Sequence, residues 1–202
     1  GANSSGTVNG TGTAARFNEP FGITRVSGTE FYVADTYNHS IRKLTDAGVV
    51  TTLAGISGTS GSADGSGTAA TFYAPKSIAN DGTNLYVADT YNSTIRQIVI
   101  STGAVTTLAG YAGTTGSTDG TGSVGRFNFP FGVAVTGGNV YVTDTLNQTI
   151  RKITSAGVVT TLAGTAASTG NADGTGTAAT FNIPAGIATD GTNLFVADSN
   201  NH

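Results

Sequence analysis

The chain has 202 residues, of which only 10% are charged and 30 are glycine, a composition typical of strands joined by turns. Cysteine, methionine and tryptophan are absent, which excludes disulfides, thiolate metal sites and a cysteine nucleophile. Nine Lys and Arg against twelve Asp and Glu give a net charge of −3 without runs of one sign, so nucleic-acid binding is not expected. No apolar stretch is long enough to predict membrane insertion.

An internal repeat is the main signal in the sequence. All four prolines, Pro20, Pro75, Pro130 and Pro184, occupy one repeat position, and Phe17, Phe72, Phe127 and Phe181 recur in step with them. We therefore predict a single domain over 1–202 with repeats of about 1–55, 56–110, 111–164 and 165–202. The last repeat is expected to stop after its second strand.

The elements of one repeat are clearest in the second, where β-rich runs predict strands over 76–79, 85–88, 94–100 and 104–108. Turn-forming Gly, Asn, Asp and Ser residues separate these runs, which indicates antiparallel hairpins. A four-stranded unit with this period predicts a β-propeller blade, because one thin sheet buries its faces only by stacking on its neighbours. The predicted fold is an all-β propeller with about 3.5 blades present. It would form an open or partial ring, closed only by oligomerisation or within a longer chain.

The runs 31–43, 85–96 and 140–151, such as Leu85-Tyr86-Val87-Ala88-Asp89-Thr90-Tyr91-Asn92, resemble the NHL repeat, and the resemblance covers the whole chain. It implies a propeller of four-stranded blades, here of the extracellular bacterial type. Family members include protein-interaction modules, RNA-binding repressors, extracellular sensor domains and a metal-dependent lyase. The chain departs from the namesake motif, since only Asn38-His39 and Asn201-His202 keep the Asn-His pair and neither precedes Leu.

A turn between the second and third strands carries an Asp and an Asn in every repeat. We predict that these side chains are structural and cap their own turns by accepting backbone N–H bonds; a ring of metal ligands is the alternative. Arg42, Arg96 and Arg151 recur on the third strand and are predicted to pair with a blade carboxylate. The predicted turn caps are Asp35, Asn38, Asp89, Asn92, Asp144, Asn147, Asp198 and Asn201.

Long glycine-rich connections enter the repeats and carry Asn9-Gly10, Asp64-Gly65, Asp119-Gly120 and Asp173-Gly174. Connections of this length often have a function, and Asp64, Asp119 and Asp173 are weak candidates for binding calcium. One acid per loop provides few of the six to eight oxygens that calcium takes, so turn capping is the alternative interpretation. No other cofactor is expected.

Binding is predicted on the face that holds these turns together with the long connections. Tyr37, Tyr91 and Leu146 lie at equivalent turn positions there, and His39 is a further candidate. Tyrosine beside small polar residues is typical of adaptable protein-binding and glycan-binding surfaces. The alternative is that these side chains pack over the neighbouring turn.

Catalysis is not expected, because the two histidines lack a Ser-His-Asp arrangement and no paired glutamates occur. The leading hypothesis is a non-enzymatic binding or scaffold module, extracellular or on the cell surface, that presents a loop-rich propeller face to a protein or glycan. An alternative is a structural segment that self-assembles into rings or filaments through open blade edges. RNA binding is a third hypothesis and rests on the family resemblance alone.

Overall fold

The computed structural model describes residues 4–202. These residues form strands and single turns of 3-10 helix, with no α-helix among them, so the all-β prediction is confirmed. No helix in this part of the chain has the length and apolar character that a membrane span requires. The chain divides into two compact units, which are 1–89 with 96–106 and 90–95 with 107–202.

The first repeat folds into an antiparallel sheet whose strand order is β1-β5-β4-β3-β2. Its strands are β1 (Gly10–Thr11), β2 (Pro20–Ser27), β3 (Glu30–Asp35), β4 (Ser40–Thr45) and β5 (Val49–Ala54). The strands β2 to β5 are the four predicted blade strands. The short β1 comes from the connection that precedes the repeat and pairs with the outermost strand, β5.

The second and third repeats have the same strand order, β6-β10-β9-β8-β7 and β11-β15-β14-β13-β12. Their strands are β6 (Gly65–Ser66), β7 (Pro75–Asn80), β8 (Asn84–Asp89), β9 (Thr94–Val99), β10 (Ala104–Gly110), β11 (Gly120–Thr121), β12 (Pro130–Thr136), β13 (Asn139–Asp144), β14 (Thr149–Thr154) and β15 (Val158–Ala163). The four strands predicted in the second repeat agree with β7 to β10 to within two residues at each end. The fourth repeat contributes a two-stranded sheet of β16 (Pro184–Thr189) and β17 (Leu194–Asp198).

Single turns of 3-10 helix occupy two positions in the repeat. One follows the short edge strand or its equivalent, at Gly12–Ala14, Gly67–Ala69, Gly122–Val124 and Gly176–Ala178. The other connects the second and third strands, at Thr36–Asn38, Thr90–Asn92 and Thr145–Asn147. The second position is where the predicted turn residues lie.

The core lies between facing sheets, where strand alternation directs apolar side chains inward. In the first unit it includes Tyr32, Ile41, Phe72 and Leu85, all almost fully buried. The first strands of neighbouring repeats approach closely, and a Cβ at Gly22 would lie 2.7 Å from the carbonyl oxygen of Lys76. A small residue at this position of the first strand therefore allows the sheets of neighbouring repeats to pack against each other.

Candidate functional site

A single 3-10 turn leads from the second to the third strand of each complete repeat. In the first repeat this turn is Thr36–Asn38, and the buried Thr36 hydroxyl donates to the carbonyl oxygen of Pro75 at 2.7 Å. In the third repeat Thr145 donates to the carbonyl of Pro184 at the same distance. Each turn is thus bonded to the first strand of the following repeat, which holds its backbone in place.

A buried arginine lies beside the turn of the first repeat. Arg42 Nη1 is 2.6 Å from Asp35 Oδ2 and 3.2 Å from the Arg16 carbonyl oxygen. Its Nη2 donates to Asn9 Oδ1 at 2.8 Å. The guanidinium carbon lies 5.2 Å from the centre of the Phe17 ring, a favourable cation–π distance. We call the environment of this arginine the arginine slot. It consists of the turn Asp, an Asn or Asp from the connection, two backbone carbonyl groups and a Phe ring.

The same slot is complete in the second and third repeats. Arg96 pairs with Asp89 at 2.8 Å and Asp64 at 2.7 Å, over the Phe72 ring at 5.1 Å. Arg151 pairs with Asp144 and Asp119, both at 2.7 Å, over the Phe127 ring at 5.3 Å. The predicted pairing of these arginines with blade carboxylates is therefore present in all three.

Strand register explains why the turn Asp and the Arg meet. Arg42 is directly opposite Val33 in the β3–β4 pair, and Val33 lies two residues before Asp35. Residues two apart on a strand project from the same face, and diagonal cross-strand neighbours are within reach of a long side chain. A constant spacing of seven residues between Asp and Arg therefore brings them together in every blade.

The slot is removed from solvent at its inner end and open at its outer end. The arginines and turn aspartates have no exposed side-chain surface, whereas Asp64 and Asp119 are 50% and 49% exposed. Burial raises the pKa of Asp144 to about 6, although the Asn128 N–H, Asn147 and Arg151 favour its ionised form. Since desolvation offsets much of the attraction in such a pair, the slot fixes the position of the strands more than it adds net stability.

The structure corrects the predicted role of the turn aspartates. The carboxylates of Asp35 and Asp144 accept no capping hydrogen bond from the backbone N–H groups of their own turns. Their Oδ1 atoms instead accept the backbone N–H of Asn18 at 2.8 Å and of Asn128 at 2.7 Å, in the preceding connection. Asp89 accepts the Tyr73 N–H in the same way, at 2.7 Å. These carboxylates connect the turn to the segment that enters the repeat.

The turn asparagines make a second connection of this kind. Asn38 Nδ2 donates to Asp35 at 2.8 Å and to the Gly6 carbonyl oxygen at 2.6 Å. Asn147 donates to Asp144 at 2.7 Å and to the Gly116 carbonyl at 2.6 Å. Asn92 is likewise buried. Asn38 and Asn147 therefore bridge the turn and the preceding connection.

Two of the three calcium candidates are engaged by a cation of the chain itself. Asp64 and Asp119 each hold an arginine at 2.7 Å, which leaves neither as an uncommitted oxygen ligand. Within 4–202, no group of three or more His, Asp or Glu side chains is placed to bind a metal ion. The third candidate, Asp173, lines a cavity.

This cavity, of about 470 Å³, lies in the fourth repeat and is lined by the equivalents of the slot residues, Asp173, Phe181, Asp198 and Asn201 among them. Asp198 accepts the Asn182 N–H at 2.7 Å and the Asn201 amide at 2.5 Å, as in the complete repeats. No Lys, Arg or His of the described residues forms an ion pair with Asp173 or Asp198. We call it the fourth-repeat cavity.

The middle residue of each 3-10 turn faces outward. Tyr37, Tyr91 and Leu146 are 43%, 45% and 46% exposed, whereas the turn residues on either side of them are buried. In the second unit the Tyr91 ring also meets Phe129 edge-on, with centroids 5.2 Å apart. We call Tyr37, Tyr91 and Leu146 the rim residues; about half of each side chain is covered and the rest is available for contact.

The residue after the turn links successive repeats in the first and third repeats. His39 and Gln148 have left-handed backbones, with φ of 54° and 60°. His39 Nδ1 accepts the Ala74 N–H at 3.1 Å, and Gln148 Oε1 accepts the Ile183 N–H at 2.7 Å. Burial lowers the pKa of His39, which favours the neutral ring that this acceptor role requires. The structure thus places His39, a predicted binding residue, in an inter-repeat bond.

The chain is similar in sequence to known proteins. No protein-family model matches the chain. The chain is 32% identical over 204 residues to protein SUPPRESSOR OF QUENCHING 1, chloroplastic, of Arabidopsis thaliana, a match that covers 94% of the chain and 19% of that protein. It is 39% identical over 108 residues to NHL repeat-containing protein 2 of Homo sapiens, covering 51% of the chain and 15% of that protein. The chain therefore spans about a fifth or less of the length of these relatives.

A solved structure with a similar fold is an auxiliary nutrient binding protein from Bacteroides thetaiotaomicron. It superposes with a TM-score of 0.71 at 20% identity, over 89% of this chain and 45% of that one. At this identity the likeness shows the fold alone. Four-stranded antiparallel blades repeated in this way define a segment of a β-propeller. With its repeat-containing relatives, the chain belongs to the NHL-repeat family.

The sequence predicts separate roles for two groups of acids that the structure brings together. It predicts caps at the turn aspartates and weak calcium candidates at the loop aspartates, yet in the second and third repeats one of each binds the same guanidinium. A signal was present, because Asp64 to Arg96 and Asp119 to Arg151 are both 32 residues apart. An equal sequence separation across a long loop does not by itself predict that two side chains are in contact. The structure is needed to show that the loop Asp binds the Arg.

Proposed function

We propose that this propeller segment is a non-enzymatic binding module, extracellular or on the cell surface, in which each rim residue contacts a glycan on its own turn. The observation that carries the proposal is the recurrence of an exposed Tyr or Leu at the centre of a turn whose neighbours are buried. A side chain on a fixed turn loses little conformational freedom on binding. Tyrosine also offers an apolar ring and a hydroxyl, which suits a partner with apolar and polar faces.

The placement of the titratable groups supports a role without catalysis. Arg42, Arg96 and Arg151 are fully buried in ion pairs, and His39 accepts a backbone hydrogen bond between repeats. These groups serve the architecture, whereas general acid–base catalysis requires a group within reach of a substrate. The low charge of the chain further favours an uncharged partner over RNA.

A glycan array probed with the labelled chain tests the proposal, followed by titration of a binding oligosaccharide against Tyr37→Ala and Tyr91→Ala. Each substitution is expected to weaken glycan binding by about tenfold, because it removes one side chain that anchors the ligand. Phe195→Ala is the matched control, since it removes an aromatic ring that is 58% exposed on a strand away from the turns. If both tyrosine variants bound the glycan as tightly as the unaltered chain, the assignment of the binding site to these tyrosines would be wrong.

If the same two tyrosines captured a protein partner and no glycan bound, the glycan would be excluded as the ligand, and the assignment as a binding module would stand. RNA binding that weakens steeply with salt would overturn both. These outcomes differ because contacts to phosphates depend on ionic strength, whereas stacking on an exposed ring depends on it much less.

A second candidate function is self-association through blade faces, which rests on exposed apolar side chains. In the first repeat Phe21 and Ile23 are 56% and 59% exposed and line a cavity of about 270 Å³ with Val33 and Leu44. In the fourth repeat Phe195 is similarly exposed. Contiguous apolar surface of this kind favours contact with another protein surface.

Light scattering over a concentration series tests self-association. The expected mass is a multiple of 20.1 kDa that rises with concentration and falls to one copy in Ile23→Ser. Tyr111→Ser is the control, since Tyr111 is comparably exposed but lies in a connection. A mass of one copy at every concentration would exclude this candidate.

A further inference from the structure

The connection that enters the third repeat carries a tyrosine and an arginine in contact with each other. The guanidinium carbon of Arg126 lies 5.3 Å from the centre of the Tyr111 ring, a favourable cation–π distance. Tyr111 is 55% exposed and Arg126 is partly exposed, and both belong to the second compact unit. We call Tyr111 and Arg126 the connection pair; both side chains are accessible to a ligand.

Backbone hydrogen bonds hold both members of the pair. The carbonyl oxygen of Tyr111 accepts the Thr114 N–H at 3.0 Å, in a turn where Gly113 has a φ of 75°, a conformation that favours glycine. Arg126 Nη1 donates to the carbonyl oxygen of Gly125 at 2.9 Å and to that of Ser123. A guanidinium held in this way loses little conformational freedom when it binds a ligand.

The other donors of the Arg126 guanidinium have no acceptor within the protein. Among residues 4–202, no atom accepts a hydrogen bond from Arg126 Nε or Nη2, and no carboxylate forms an ion pair with Arg126. Nε and Nη2 point in the same direction and form the planar fork that binds both oxygens of a carboxylate. The equivalent Arg16 differs, because its Nε donates to Ser4 Oγ at 3.2 Å.

The connection pair occurs in one repeat, whereas the arginine slot recurs. At the position of Arg126 the second and fourth repeats have Thr71 and Thr180. The hydroxyls of these threonines accept the N–H of Ala63 at 2.9 Å and of Ala172 at 2.8 Å. The connection therefore folds without an arginine at this position, and the architecture does not require Arg126. This favours a role for Arg126 in binding.

The connection pair adjoins the turn of a rim residue. The Gly113 N–H donates to the carbonyl oxygen of Asn92 at 3.2 Å, and Asn92 directly follows the rim residue Tyr91. Phe129, which meets the Tyr91 ring edge-on, is three residues after Arg126. The pair is therefore attached to a turn that we propose contacts a glycan.

We propose that the connection pair binds the carboxylate of an acidic sugar in the glycan that contacts Tyr91, an inference that rests on the proposed function. The Arg126 fork takes both carboxylate oxygens, and the exposed part of the Tyr111 ring packs on the C–H face of the sugar. A single fixed cation suits one carboxylate on an otherwise uncharged glycan, whereas a polyanion requires clustered cations.

An array of matched oligosaccharide pairs tests this specificity. One member of each pair is neutral, and the other has C6 of its terminal sugar oxidised to a carboxylate, in the gluco, galacto and manno series. We expect the chain to bind one such uronate at least about tenfold more tightly than its neutral partner, because a hydrogen bond to a charged group is gained. The methyl ester of that uronate removes the charge and should lose the preference. Equal affinity within every pair would overturn the proposal and leave the proposed glycan binding intact.

Substitutions in the chain provide the second arm. Arg126→Gln should reduce the affinity for the uronate to that for its neutral partner, whereas Tyr91→Ala should weaken binding of both. Arg16→Gln is the matched control and should retain the preference, since Arg16 occupies the equivalent position in the first repeat and also donates Nη1 to backbone carbonyls. Circular dichroism checks that the variants fold, and the methyl ester tests the carboxylate contact in the unaltered chain. A uronate preference that persists in Arg126→Gln would overturn the site, and binding of no member of the array would overturn the proposed function as well.

Discussion

The third and fourth repeats place the same residues around the turn but differ in burial. Asp144 and Phe127 have no exposed surface, whereas Asp198 and Phe181 are partly exposed. The hydrogen bonds of the turn are alike, since Asn128 and Asn182 each donate their N–H to the turn Asp at 2.7 Å. The local sequence thus forms the turn without an arginine. The turn carboxylate is fully buried in the third repeat, where the arginine and its strand are present, and only partly buried in the fourth.

The largest expected effect comes from making the third repeat resemble the fourth. Arg151→Met leaves Asp144 buried without its cation and should lower the free energy of unfolding by about 3–5 kcal/mol. Urea denaturation at neutral pH measures the loss. Because a protonated Asp144 needs no cation, the native variant binds a proton more readily than the unfolded chain, and its loss should shrink as pH falls.

The control for this comparison is Asp198→Asn, which alters the equivalent carboxylate, with which no arginine of residues 4–202 forms an ion pair. Its effect should stay below about 1 kcal/mol, since a partly exposed group is stabilised little by its hydrogen bonds. If both variants lost the same free energy, the arginine would not be what distinguishes the two repeats.

A smaller effect is expected where the third repeat packs on the fourth. A Cβ at Gly132 would clash with the Ala185 carbonyl oxygen and approach the Thr143 hydroxyl to 2.9 Å. Gly132→Ala should therefore force the first strands apart and lower the free energy of unfolding by about 1–3 kcal/mol. Gly186→Ala is the control, because its Cβ would meet only the Ala197 Cβ, at 3.5 Å. A thermal melt in which the two variants coincide would contradict close packing at this contact.

The smallest effect concerns the bond between repeats and depends on pH. The pKa of His39 is lowered from 6.5 in the folded chain by burial, so the unfolded chain takes up the proton first. Stability should therefore decline as pH falls below 6.5 and level off once pH passes below the folded pKa. His39→Gln copies Gln148, whose Oε1 makes the equivalent bond, and should remove this part of the pH dependence.

Denaturant midpoints at pH 7.5 and 5.5 measure the difference. The other histidine, His202, is present in both proteins, so subtraction isolates His39. An unchanged pH dependence in His39→Gln would show that the imidazole is not the titrating group.

Sequence periodicity by itself determined the fold class, the four strands of a complete blade and the position of the turn. Strands such as 85–88 are short, rich in β-branched and aromatic residues, and bounded by turn formers, so local chemistry defines them. The recurrence of Asp and Arg at a fixed spacing also predicted an ion pair. These features follow from the local sequence and the pairing of adjacent strands.

Only the tertiary structure decided which carboxylates the arginines bind and what the turn residues bond to. Asp119 reaches Arg151 from a connection 32 residues earlier, and Asn147 bonds to Gly116. Such partners depend on how a long connection returns across its own blade, which composition and spacing do not specify. For the same reason the turn aspartates, which the sequence predicts to cap their own turns, accept the N–H of a preceding segment, because the fold places that donor within hydrogen-bond distance of Oδ1.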